Sequence, residues 1–214
     1  MVNTQTYNKI QKALLQTNTT LVAVSKLKPA SDIQTLYNLA HRDFGENYVQ
    51  ELVDKAAQLP NDIRWHFIGH LQSNKVKYIA PFVHLIQGVD SEKLLAEINK
   101  QAAKSNRIIN VLLQVHIATE NTKFGFNEAE ILNIDVANYT NVNIIGVMGM
   151  ASFTENSNQV KTEFESLKSL FEKIKIEKQL NLTTISMGMS NDYELAITCG
   201  SNMVRIGSLL FGAR

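Results

Sequence analysis

Lys26 follows the apolar run LVAVS at residues 21–25. A lysine whose stem leaves a packed strand at its rim is partly desolvated. That disfavours the ammonium form and exposes a nucleophilic amine suited to condensing with an aldehyde. Position alone favours the plainer reading, a solvated lysine after a strand. Lys28 is a second amine in the same segment, but its neighbour Pro29 marks a chain already turned into a loop. Near the other end of the chain, Arg205 lies inside the apolar run 203–206 and is followed by Gly207 and Ser208. An arginine in a strand needs a polar partner, because a buried charge without one is costly. The partner is either an acceptor on a ligand, such as a ring nitrogen, or an internal carboxylate such as Glu46 or Glu194. Spacing leaves both open. The turn Gly188-Met189-Ser190-Asn191 is a second small, hydroxyl-bearing segment after an apolar run.

Other residue types that could do chemistry lack the pattern for it. His66 and His70 are four apart, the zinc-ligand spacing of a helix, but they fall on a strand end and the turn beyond it, with no cysteine or carboxylate to complete a set. Ser186 and Ser190 lack the Gly-x-Ser-x-Gly elbow of a nucleophilic serine. The segment 146–149 matches neither a Rossmann nor a P-loop fingerprint. Met148, Met150, Met187 and Met189 read as adaptable core filler, and Cys199 as inert packing in an apolar helical face.

The elements that must position these residues alternate along the chain. Strand-like runs fall at 21–25, 43–45, 64–68, 83–87, 109–116, 143–148, 183–187 and 203–206. The second is the weakest, with Phe44 its only apolar residue. Helical patterns lie between them, at 31–41, 49–58, 74–79, 91–105, 127–138, 155–179 and 193–199, after an additional leading helix at 4–16. Ile33, Leu36, Tyr37 and Ala40 share one helical face. Ser31 before Asp32 and Ser91 before Glu92 have the form of N-caps with an acid in the first turn. Short apolar strands alternating with helices imply a parallel sheet covered on both faces. Eight repeats predict a single α/β domain over 1–214, a (β/α)8 TIM barrel with an N-terminal helix. A doubly wound open sheet is the competing arrangement.

In a barrel the active face lies at the C-terminal ends of the strands. Lys26, Glu46-Asn47, Gly69-His70, the segment 119–123, Gly149-Met150, the 188–191 turn and Gly207-Ser208 would then meet there. Loops after strands seven and eight are the recurrent phosphate site of this fold, since helix N-termini present backbone N–H groups there. A lysine facing such a cradle suits a phosphorylated aldehyde or a phosphosugar, and pyridoxal 5′-phosphate is one such ligand.

Composition narrows the partners. With 21 basic and 20 acidic residues the formal charge is +1, without the basic excess or stripe of a nucleic-acid binder. No apolar run is long enough for a membrane span, and the N-terminus lacks the layout of a secretory signal. One cysteine fits a reducing, cytoplasmic setting.

Six segments taken together resemble the pyridoxal phosphate homeostasis protein family. They are AVSKLKP at 23–29, FGENYVQE at 44–51, WHFIGHLQSNK at 65–75, GVMGM at 146–150, SMGMSND at 186–192, and VRIGS at 204–208 running through FGAR at 211–214. The match spans nearly the whole chain in the right order. This family is similar in fold to the N-terminal barrel of alanine racemase. The resemblance implies that Lys26 carries the cofactor as a Schiff base. It implies that Ser190, Gly207 and Ser208 hold the phosphate and that Arg205 faces the pyridine nitrogen. Asn47 and Met150 would line the ring pocket, with His66 more loosely nearby.

The same resemblance implies a carrier and regulator of vitamin B6 pools, not a catalyst, with pyridoxal phosphate-dependent apoenzymes as recipients. Residue chemistry gives partial support. Arginine only donates, which leaves the ring nitrogen unprotonated and the ring a weaker electron sink than an aspartate partner would make it. The last strand is expected to end near the C-terminus, leaving no room for the second domain from which a racemase draws its other base. A monomer is expected. The rivals are a small amino-acid racemase using the same cofactor and a phosphosugar aldolase using Lys26.

Overall fold

In the computed structural model, residues 2–120 and 124–212 are described; the segment at 119–123 and the FGAR motif therefore run partly outside the described residues. Eight parallel strands close into a barrel in sequence order. They are β1 (Thr20–Val24), β2 (Asp43–Glu46), β3 (Arg64–Phe67), β4 (Leu85–Val89), β5 (Ile109–Val115), β6 (Val142–Gly149), β7 (Thr184–Ser186) and β8 (Met203–Ile206). β8 pairs back onto β1. The closed sheet decides against the open doubly wound alternative. No helix among the described residues is long and apolar enough to cross a membrane.

The helices are α1 (Thr4–Gln16), α2 (Ala30–Asn38), α3 (Val49–Ala56), α4 (Val76–Ile79), α5 (Glu92–Lys104), α6 (Glu128–Asn133), α7 (Ser157–Glu177), α8 (Tyr193–Thr198) and α9 (Ser208–Phe211). Each longer helix lays an apolar stripe on the sheet. In α5, Ser91 caps the first turn by accepting from Leu94 N, and Leu94, Leu95, Ile98 and Ala102 are buried. In α7 the stripe is Val160, Phe164, Leu167, Phe171 and Ile174. Burying each such large side chain is worth roughly 1.5–3 kcal/mol, so these stripes hold the helices on the barrel. Inside the barrel a much smaller apolar set, Val22, Leu85, Leu112, Met148 and Met203, fills the middle.

Several boundaries differ from the sequence expectation. Ser31 does not cap α2: the helix begins at Ala30 behind Pro29, whose backbone at φ −67° and ψ 158° leads into the first turn. The same helix stops at Asn38, and Ala40 turns left-handed at φ 65° and is exposed instead of joining the buried face. The long helix expected at 127–138 breaks in two. Ile134 is extended, and the Asp135 side chain accepts from Ala137 N to start a separate 3-10 turn at Val136–Asn138. β4 runs on to Val89, two residues past its expected end. β2 forms a full register with β3 despite its single large apolar residue. Buried and half-buried polar contacts at its two ends secure it.

Candidate functional site

The turn after β1 is held from beneath. Ser25 is fully buried, its N–H continues the ladder to Gly45 O at 3.0 Å, and its hydroxyl donates to Glu46 Oε1 at 2.6 Å. Lys55, on α3, is buried with its Nζ 2.8 Å from Ser25 O, 2.7 Å from Glu46 Oε1 and 2.7 Å from Glu51 Oε1. Glu51 Oε1 also accepts the Leu27 N–H at 2.6 Å, which pins Leu27 in a left-handed conformation at φ 61°. A leucine adopts that conformation only where its surroundings enforce it. Lys26, half-buried between Ser25 and Leu27, is thereby presented from a fixed turn. Burial pushes the Glu46 carboxyl up, and the facing Lys55 ammonium opposes that shift.

Arg205 is buried in β8, its Cα paired with Val22 of β1. It donates through Nη1 to Ser186 Oγ at 2.6 Å and through Nη2 to Gly149 O at 3.0 Å. Burial lowers its pKa to about 10, which still leaves the guanidinium charged at neutral pH. Neither of the two internal salt bridges considered from sequence forms: Glu46 is taken by Lys55, and Glu194 accepts from the Tyr193 hydroxyl. Among the described residues its acceptors are a hydroxyl and a carbonyl. A guanidinium carries five N–H donors, so further donors remain for a ligand.

The two turns expected to form a phosphate cradle meet. Gly207 N lies 3.4 Å from Ser190 Oγ, a long contact. Gly188 turns at φ 95°, where a Cβ would stand 2.6 Å from that of Ala196, so the chain passes here only as glycine. Asp192 Oδ1 accepts from Met189 N at 2.6 Å and fixes the same turn. Beyond the β1–β8 register, which ends at Ala23 with Ile206, Gly207 lies against Val24. Gly207 and Ser208 therefore stand across one strand seam from the Ser25–Lys26 turn. Met150 follows β6 and packs against the inner apolar set. Asn47 follows β2, and its buried Oδ1 has no hydrogen-bond partner. A buried acceptor left unpaired is costly, and a polar ligand is one remedy.

Seven of the eight candidates thus gather at the C-terminal ends of the strands: Lys26, Asn47, Met150, Ser190, Arg205, Gly207 and Ser208. His66 is placed differently. It lies in β3 inside the barrel and is engaged at both nitrogens, with Asp43 Oδ1 at 3.0 Å from Nε2 and Gln87 Nε2 at 3.0 Å from Nδ1. His70 is at the rim, its Nδ1 2.8 Å from Asp90 Oδ2 and its ring stacked on Phe124. Sequence reasoning missed Gln87, Lys55 and the role of Ser186. For Gln87 and Ser186 the available signal was a polar residue interrupting an apolar strand: where helices cover the sheet, such a side chain has to face the barrel interior; Lys55, on α3, carried no such signal.

The alanine racemase, N-terminal domain model matches residues 4–214. The pyridoxal phosphate homeostasis protein of Aquifex aeolicus (strain VF5) is 41% identical over 199 residues, covering 91% of this chain and 86% of its own. That of Pasteurella multocida (strain Pm70) is 40% identical over 200 residues, with the same coverage of 91% and 86%. Among solved structures, PipY of Synechococcus elongatus PCC7942 with PLP bound aligns at TM-score 0.84 and 33% identity, covering 91% of this chain and 93% of its own.

Proposed function

The chain belongs to the alanine racemase N-terminal domain family and, within it, to the pyridoxal phosphate homeostasis proteins, and from that premise we propose that it binds pyridoxal 5′-phosphate as a Schiff base on Lys26 and acts as a carrier and regulator of the cofactor in the cytoplasm. The observation that carries this reading is the shared β1–β8 seam, which brings the clamped Lys26 turn, the buried Arg205 and the Gly207–Ser208 turn to one end of the barrel. The residues present suit the group. Lys26 Nζ would hold the aldehyde carbon as the Schiff base, with water as the group lost. Ser190 and the backbone N–H groups of Gly207 and Ser208 would hold the phosphate, with charge-assisted hydrogen bonds to the anion. Arg205 would donate to the ring nitrogen, the unpartnered Asn47 Oδ1 would accept from a polar group, and Met150 would line the ring. Bound in this way, the cofactor supplies an electron-accepting ring conjugated to the lysine linkage.

The carrier reading is supported by what the side chains are able to donate or accept. Arg205 only donates, so the ring nitrogen it faces stays unprotonated and the ring is a weak electron sink. A second base would be needed for catalysis, and His66 is committed at both nitrogens. Tyr48 is 53% exposed at the start of α3. Such a protein exchanges its cofactor with apoenzymes instead of consuming substrate, and works as a monomer. The test is an absorbance spectrum of the purified, cofactor-loaded protein before and after borohydride, followed by peptide mapping. A visible band that reduction abolishes, with the pyridoxyl group on Lys26, is the expected result. No cofactor band would overturn the reading.

A further inference from the structure

The barrel interior holds a single file of polar side chains contributed by five strands. From the mouth downward, Arg205 Nη1 donates to Ser186 Oγ at 2.6 Å, Ser186 Oγ donates to Gln87 Oε1 at 2.7 Å, Gln87 Nε2 lies 3.0 Å from His66 Nδ1, and His66 Nε2 lies 3.0 Å from Asp43 Oδ1. Ser186, Gln87, His66 and Arg205 are all buried. Arg64 closes the file at the barrel's lower end, pairing with Asp43 while its own side chain is 47% exposed. The two ends dictate the pattern of protons between them. A guanidinium only donates, so Ser186 must accept from Arg205 and pass its own proton to Gln87 Oε1. That turns the Gln87 amide N–H toward His66, where Nδ1 accepts and Nε2–H donates to the Asp43 carboxylate. Asp43 is suited to its place as terminal acceptor. Burial opposes its ionisation, but the hydrogen bonds from Arg64 and His66 and the charge of Arg64 outweigh that and hold its carboxyl well below the usual range.

We propose that Gln87, His66 and Ser186 are positioning residues for Arg205, forming a directional relay that fixes how the guanidinium presents itself to the cofactor ring; the inference rests on the functional reading above. Every link has one donor and one acceptor, so reversing any of them sets two donors face to face at the next. With a proton on His66 Nδ1, for example, the Gln87 amide would have to turn over. Ser186 would then receive two donors and lose the acceptor for its own hydrogen. The relay thus ties the mouth to groups remote from it. Other charged or titratable groups packed around it include His41, whose Nε2 lies 2.8 Å from Asp43 O, His84, whose ring is 5.5 Å from that of His66, and Asp192, whose charge acts on Arg205.

Two measurements test this, and they fail separately from the functional reading. Long-range 15N NMR of the cofactor-free wild-type protein should show His66 protonated at Nε2 and unprotonated at Nδ1. A proton resting on Nδ1 overturns the relay whether or not pyridoxal phosphate binds. In the loaded protein, Gln87→Met removes the central link at nearly constant volume, and Ser186→Ala removes the link next to Arg205, which covers the case in which the first variant does not fold. Each should move the pH midpoint of the bound cofactor's visible band and speed release of pyridoxal phosphate by a few-fold to about ten-fold, the scale of one net hydrogen bond. Because the links act in series, the double variant should be no worse than the more impaired single one. A purely structural role predicts lower melting temperatures with unchanged midpoint and release rate, and that result overturns the proposal. A wild-type protein that binds no cofactor defeats the functional reading alone, and the NMR result still decides the relay.

Discussion

Lys26 and Lys28 lie two residues apart, and their surroundings explain why one is the expected attachment point. Lys28 Nζ reaches across to Phe211 O at 2.9 Å and ties the turn to the end of α9. Lys26 is displayed from a turn that Glu46, Glu51 and Lys55 immobilise. Borohydride reduction of the loaded protein should therefore place the pyridoxyl group on Lys26, and Lys26→Ala should lose the stable visible band. Recovery of the label from Lys28 in wild-type protein would refute the assignment. Ser190→Ala should weaken cofactor retention by roughly 1.5–3 kcal/mol, ten-fold or more, because a hydrogen bond to phosphate is charge-assisted. Equal retention of pyridoxal lacking the phosphate would show the cradle to be elsewhere. At this scale the sequence was legible where a residue ends an apolar run, as Lys26 and Gly207 do. Position alone did not single out Lys26, because the carboxylates that clamp its turn come from β2 and α3, far from it in sequence.

The elements were legible to the extent that local patterning decides them. The cap of α5 and the stripes of α5 and α7 follow from their own residues, and every strand but β2 coincides with an apolar run. β2 was the weakest because its support is tertiary: Asp43 takes hydrogen bonds from Arg64 and His66 of β3, and Glu46 takes them from Ser25 and Lys55. Those contacts lead to two expectations. Lys55→Met should destabilise the protein by about 3–5 kcal/mol, since breaking a buried pair leaves uncompensated carboxylates, and chemical denaturation would measure it. Asp43→Asn should destabilise at neutral pH and much less in acid. The folded-state pKa of Asp43 lies below its ordinary value of 3.8, so its contribution is present above that value and is lost as pH falls below it. The gap between wild type and variant should therefore narrow between about pH 4 and pH 2 in denaturation measured across that range. A gap that stays constant would mean the carboxylate charge does not secure β2.

For the molecule as a whole, the closed barrel concentrates reactive groups at one end and runs a hydrogen-bonded polar file through its apolar interior, from Arg205 to Asp43. That arrangement sets what the loaded protein should do with amino acids. With the proposed Schiff base on Lys26, the lysine would pass the cofactor to an amino-acid amine and take it back, so slow exchange is allowed. Sustained turnover needs more: a ring that accepts electrons strongly and a second group that reprotonates the α-carbon. On the proposed reading, Arg205 would deny the ring nitrogen a proton. His66 is held between Asp43 and Gln87, and freeing it would break a buried network whose unpaired groups each cost about 1–3 kcal/mol. Tyr48 is 53% exposed, and the described contacts show no base that would activate it. Loss of label from the α-carbon of alanine, serine or lysine in deuterated water should accordingly stay near the background given by free pyridoxal phosphate. Exchange at about 1 per second or faster, an ordinary enzymatic rate, would replace the carrier reading with that of a small amino-acid racemase. His66→Phe and Tyr48→Phe would then identify the base, since removal of the responsible side chain should abolish exchange in protein that still shows a cofactor band, with the pH midpoint shifted in His66→Phe by loss of its relay link.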